Sequence, residues 1–128
     1  MRASSPACSV HAMEAGDLVA SGARFFAVMD GDEAVAMGAL KRLASGGGEV
    51  KSMHVREDRR GRGLADLVLG HLLDVARTSG MPRLFLETGS QDAFRPARAF
   101  YARHGFAPCP PFEGYAEDPN SVFMTRAL

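Results

Sequence analysis

The chain has 128 residues, 46% of them hydrophobic, with 15 lysines and arginines against 15 aspartates and glutamates, so its formal net charge is zero. That length suits one domain around one core, and the balance of charge excludes a global field for nucleic acid, so an anion site has to be local. No apolar run reaches the roughly 18–20 residues of a membrane span, and MRASSPACSVHAME lacks the apolar centre of a signal peptide. A cytoplasmic location without membrane contact is therefore expected, with Cys8 and Cys109 as free thiols. His11, His54, His71 and His104 show no ligand spacing with either cysteine or with one another, so no metal site is expected.

In chain order, SVHAMEAGDLVASG has room for one short helix, interrupted by Gly16 and Gly22. Phe25–Met29 is an apolar β-run, Asp30-Gly31-Asp32 supplies turn chemistry, and Val35–Leu43 continues as the second strand of a hairpin. After the turn Ala44–Gly48, Glu49–Val55 reads as a third strand. Strict alternation would put Glu49, Lys51, Met53 and Val55 on one face, and Val50, Ser52 and His54 on the other. Leu64, Leu67, Val68, Leu72, Val75 and Ala76 recur at helical steps over Leu64–Ser79, ended by Gly80-Met81-Pro82. Arg83–Gly89 reads as a buried strand of the parallel type. A second helix starts near Pro96 and stops at Gly105. PCPPFEGYAEDPN is a long loop, and SVFMTRAL a closing strand. The order predicts an α/β (α+β) fold: a mixed, mostly antiparallel twisted sheet flanked by helices, in a single domain over 1–128.

The segment VREDRRGRGLA joins the third strand to the first helix. A helix start presents backbone N–H groups without intrahelical partners and the positive end of the dipole. Glycines at 61 and 63 let an oxygen approach the backbone, and Arg60 and Arg62 add charge-assisted bonds. The same composition also suits a solvated basic turn. The Gly-x-Lys-Ser/Thr ending of a nucleotide-binding P-loop is absent.

Arg60-Gly61-Arg62-Gly63-Leu64-Ala65 resembles the Arg/Gln-x-x-Gly-x-Gly/Ala motif of the GNAT superfamily of N-acetyltransferases, and ARAFYARHGF resembles that family's A-x-x-Φ-Y-x-x-x-G-F segment. Glu49–Val55 resembles its central strand, and RLFLETG the strand that splays from it. The resemblance implies acetyl-CoA as cosubstrate. Arg60, Gly61, Arg62, Gly63 and Ala65 would surround the pyrophosphate, and the main chain of Met53 and Val55 would meet the pantetheine arm. Met53 and Val55 would also serve as plain core residues. Tyr101 falls at the family's tyrosine, implied to give the departing thiolate a proton; without the resemblance it reads as a half-buried helix aromatic. Glu49 is the candidate general base against a reading as a solvated strand-start carboxylate, with Glu87 second and His54 third. Where many members carry an asparagine that holds the cofactor arm, this chain has Phe94, so that grip would fall to Ser90 or Gln91 or be missing.

These residues imply direct acetyl transfer to a primary amine, either a small molecule or an amino-acid-like acceptor. A protein N-acetyltransferase and a non-catalytic acyl-CoA-binding sensor are the alternatives. Members of the superfamily usually place a strand and one or two helices before the hairpin at Phe25. The expectation here is that most of these are missing, through translation from an internal methionine. The strand Phe25–Met29 would then be an exposed apolar edge, which invites a homodimer or capping by another segment.

Overall fold

The computed structural model describes residues 8–13 and 22–128, the first of these as backbone. The hairpin forms as patterned. β2 (Ala23–Asp30) and β3 (Glu33–Arg42) pair antiparallel around the turn at Gly31-Asp32. β1 (Cys8–Met13) pairs antiparallel with the outer edge of β2, from Cys8 opposite Asp30 to Met13 opposite Phe25. This corrects the expectation of a missing first strand and of a bare edge at Phe25–Met29, and removes the edge as the reason for a dimer. The helix expected to be missing between that strand and the hairpin falls on 14–21, outside the described residues.

β4 (Gly48–Val55) pairs antiparallel with β3. β5 (Arg83–Gly89) lies parallel to β4 on one side and antiparallel to β7 (Ser121–Ala127) on the other. A short β6 (Ala107–Cys109) completes the sheet by pairing with β7. The loop read from Pro108 onward thus starts with a strand end. Among the described residues the sheet has seven strands in the order β1-β2-β3-β4-β5-β7-β6.

α1 (Leu64–Thr78) packs across β2, β3 and β4. It buries Val68, Leu69, Leu72, Leu73 and Ala76, while Leu67, assigned to the stripe by spacing, remains 43% exposed. The buried face is therefore rotated by one position from that expected. Each buried leucine stabilises by roughly 1.5–3 kcal/mol as an upper bound. α2 (Arg95–Arg103) has Pro96 in its first turn and adds Tyr101 to the same core. Asp66 in the first turn of α1 accepts from Arg103 at 2.9 Å and pairs with His104 Nε2 at 2.7 Å, tying the end of α2 to the start of α1. The opposite face of the sheet carries a smaller cluster of Leu43, Phe112 and Phe123 beneath the chain that follows β6. Among the described residues no helix is long and apolar enough to cross a membrane.

Candidate functional site

β4 and β5 pair only through Gly48 with Leu84 and Glu49 with Phe85. Beyond Glu49 the two strands part, leaving main-chain groups of both without a ladder. The Arg56 N–H donates to the Val35 carbonyl at 2.9 Å. In an antiparallel ladder the neighbouring residue then turns both its polar groups to the other edge, so Val55 presents its N–H and C=O to the opened side. Arg60 Nε takes that carbonyl at 3.2 Å.

The strand is not regular. Ser52 has φ +57°, and the β3–β4 register shifts between Met37 and Ala39. One extra residue in β4 forms a bulge, and a bulge reverses the side-chain alternation that follows it. Val50 belongs to the helix-side core, and Met53 and Val55 pack against that core; Glu49 and Lys51 line the opposite face. The expected common face for Glu49, Lys51, Met53 and Val55 is thus corrected. Strict periodicity fails at Ser52.

The basic loop divides its arginines by task. Arg56 is held by Glu33 at 2.9 Å and Asp58 at 2.7 Å, and Arg59 by Asp30 at 2.6 Å. The bond to Arg56 holds the Asp58 carboxyl below its usual range. These two arginines pin the loop. Arg60 and Arg62 have no carboxylate partner among the described residues. Gly61 and Gly63 sit at φ +79° and +78°, and a Cβ on either would meet nothing within 4 Å. Both the left-handed backbone and the open space above it fit the approach of a large anion. Gly63 caps α1 without a side-chain bond, while its carbonyl accepts from Leu67 N at 3.1 Å. The N–H groups of Leu64, Ala65 and Asp66 therefore have no intrahelical acceptor.

Tyr101 is 8% exposed, with its ring edge-on to Phe100 and Phe106. Burial pushes its phenol up to about 12, so it stays protonated over the neutral range. No group among the described residues hydrogen-bonds its hydroxyl. Glu49, at the last paired position before the strands part, is 5% exposed and is the one buried charged residue among those described. Its Oε2 accepts from Tyr115 Oη at 2.8 Å. Burial, then this bond, push the Tyr115 phenol up to about 12. Glu49 faces a cavity of about 330 Å³ lined also by Lys41, Arg42, Leu43, Ala44, Lys51, Glu113 and Tyr115. Tyr101 and Glu49 thus come from opposite faces of the sheet.

Glu87 stands near enough to Tyr115 for its charge to add to the rise of that phenol. Glu87 Oε2 accepts from Ser121 Oγ at 2.6 Å, and His54 is exposed. Ser90 Oγ donates to the Pro119 carbonyl and Gln91 Nε2 to Asn120 Oδ1, so both side chains hold the loop before β7. The Phe94 ring lies against Gly89 and is 45% exposed. Sequence reasoning missed Tyr115, Lys41 and Lys51. Counting the hairpin register would have put Lys41 opposite Glu49. No local signal points to Tyr115, which the long loop brings back over β4.

A family model described as acetyltransferase (GNAT) family matches residues 2–106. An uncharacterized N-acetyltransferase of Bacillus subtilis (strain 168), YsnE, is 44% identical over 124 residues, covering 97% of this chain and 82% of that protein. A Klebsiella pneumoniae protein described as an acyl-CoA N-acyltransferase superposes with a TM-score of 0.82 at 26% identity, over 94% of this chain and 97% of that one. A GNAT family acetyltransferase of Elizabethkingia anophelis, with acetyl-CoA bound in its crystal structure, shares the fold with a TM-score of 0.79 at 15% identity, over 97% of this chain and 100% of that one. With its parted central strands and glycine-arginine helix entry, this chain belongs to the acetyltransferase (GNAT) family.

Proposed function

We propose that this chain, as a single domain, moves an acetyl group from acetyl-CoA to a primary amine by direct transfer. The reading rests on one observation above all: β4 and β5 part at Glu49, the last position at which they pair. Arg60, Arg62 and the main chain at Gly61, Gly63 and Ala65 hold the pyrophosphate, and the outward polar groups of Met53 and Val55 hold the pantetheine arm. The loop fits this use because nothing fills the space above Gly61 and Gly63.

The cosubstrate supplies the acetyl group as a thioester. The acceptor nitrogen forms the new bond to the acetyl carbon as the carbon–sulfur bond breaks and its electron pair passes to sulfur. Tyr101 gives its hydroxyl proton to that sulfur, and Glu49, directly or through water, takes the proton the nitrogen loses. A phenol kept protonated by burial and a carboxylate on the acceptor face suit this division of roles. We place the reaction in the cytoplasm, in keeping with the free thiol at Cys109. Turnover of acetyl-CoA across a panel of amines, set beside CoA affinity by calorimetry, tests the reading. CoA binding with no turnover on any amine would identify an acyl-CoA-binding module instead.

A further inference from the structure

We infer that the acceptor is a small primary amine that also carries a carboxylate, which Lys41 and Lys51 hold while its nitrogen faces Glu49. The inference rests on the transferase reading above and names the substrate class of that site. Lys41 is the direct cross-strand partner of Glu49, and Lys51 stands two residues further along β4 on the same face, before the bulge. Both line the cavity with Glu49, and neither forms an ion pair among the described residues. The other two charged residues lining the cavity are already engaged with the main chain. Arg42 donates to the Gly46 and Ser79 carbonyls at 3.2 and 2.7 Å, and Glu113 Oε1 accepts from Ala44 N at 3.2 Å.

Two further features narrow the ligand. Glu49 is almost wholly buried, yet Tyr115 supplies a hydrogen bond to Oε2 alone, and no other donor among the described residues reaches Oε1. A buried carboxylate with an unfilled oxygen suits one more N–H, which an acceptor ammonium or amine provides. Lys41 and Lys51 against Glu49 leave one positive charge uncompensated, and a monoamine attacking as the neutral amine would leave it so. With a carboxylate on the acceptor and its nitrogen neutral for attack, two ammonium groups face two carboxylates and the cavity charge closes to zero. The volume, about 330 Å³, lies at the lower end of small-molecule sites and suits an amino-acid-sized acceptor rather than a peptide.

Calorimetry in the presence of CoA, with glycine, alanine, leucine and phenylalanine each beside its carboxamide, reads the binding preference without requiring turnover. Acetyl-CoA turnover on the same compounds reads the transfer. The amino acids should bind, and be used at least tenfold better by kcat/KM than their carboxamides. Lys41→Gln and Lys51→Gln should each shrink that ratio several-fold, and Lys51→Arg should retain it. Binding of none of these compounds, equal use of amino acids and carboxamides, or a ratio unmoved by both glutamine variants would overturn the inference; in the last two cases acetyl transfer itself stands. Lysine-dependent binding of the amino acids with no acetylation would keep the cavity assignment and overturn the transferase reading.

Discussion

Tyr101→Phe separates a catalytic phenol from a structural one, because the two readings predict opposite signs. The ring is 8% exposed and packs edge-on to Phe100 and Phe106, contacts that phenylalanine preserves. The hydroxyl finds no partner among the described residues, and a buried unpaired polar group carries a desolvation penalty of about 1–3 kcal/mol. Deleting it should therefore leave stability unchanged or raise it by up to about 1 kcal/mol. For a chain of this size that is a rise of roughly 3–5 °C in Tm. CoA affinity should not move. The acetyl-transfer rate should fall about 10²-fold, the usual range for loss of a general acid. Differential scanning fluorimetry, CoA calorimetry and single-turnover kinetics on one preparation give all three numbers. A variant with a lower Tm that transfers within about twofold of the parent rate would refute the argument and make Tyr101 a packing residue.

Glu49→Gln keeps an acceptor for the Tyr115 hydroxyl but removes the base. Its rate deficit should grow toward low pH and close above the pH at which the amine deprotonates unaided; a profile superimposable on the parent's would rule Glu49 out. Gly63→Val places a branched side chain in the open space over a residue at φ +78°, with a backbone strain of roughly 1–2 kcal/mol. CoA affinity should drop at least tenfold with the fold retained. Arg62→Ala should weaken CoA binding by on the order of 1–2 kcal/mol, and unchanged affinity in both variants would end the pyrophosphate assignment of this loop. Tyr101 and Tyr115 should leave stability unchanged up to about pH 10 and lower it between about pH 10 and 12, because they keep their protons in the fold up to about 12 while the unfolded chain loses them from about 10. Tyr101 alone contributes roughly 2–3 kcal/mol over that window. Tyr115 acts in the same direction but is damped by solvent. Urea melts at pH 8 and pH 11 check this, and equal midpoints would contradict it.

The hairpin, both helices, the strand Arg83–Gly89 and the glycine-arginine loop were legible in the chain itself. Each is specified by a local pattern: alternation around Asp30-Gly31-Asp32, a helical stripe behind Gly63, and a proline at the start and a glycine at the end of α2. The resemblance of two separated motifs carried the family. What stayed hidden depends on contacts between distant segments. CSVHAM becomes a strand by docking on β2, whose edge supplies the hydrogen bonds that such a short run cannot supply for itself. The bulge at Ser52 arises from the fit of β4 to β3. No residue type in KSMHV announces it, yet it sends Lys51 to one face and Met53 to the other. Glu49 read equally well as a solvated carboxylate until the loop after β6 folded back and set Tyr115 on it, 66 residues away in sequence. Side-chain periodicity assigns a face only while the backbone repeat is unbroken. Burial and partnership of a carboxylate, by contrast, belong to whatever the rest of the chain packs above it.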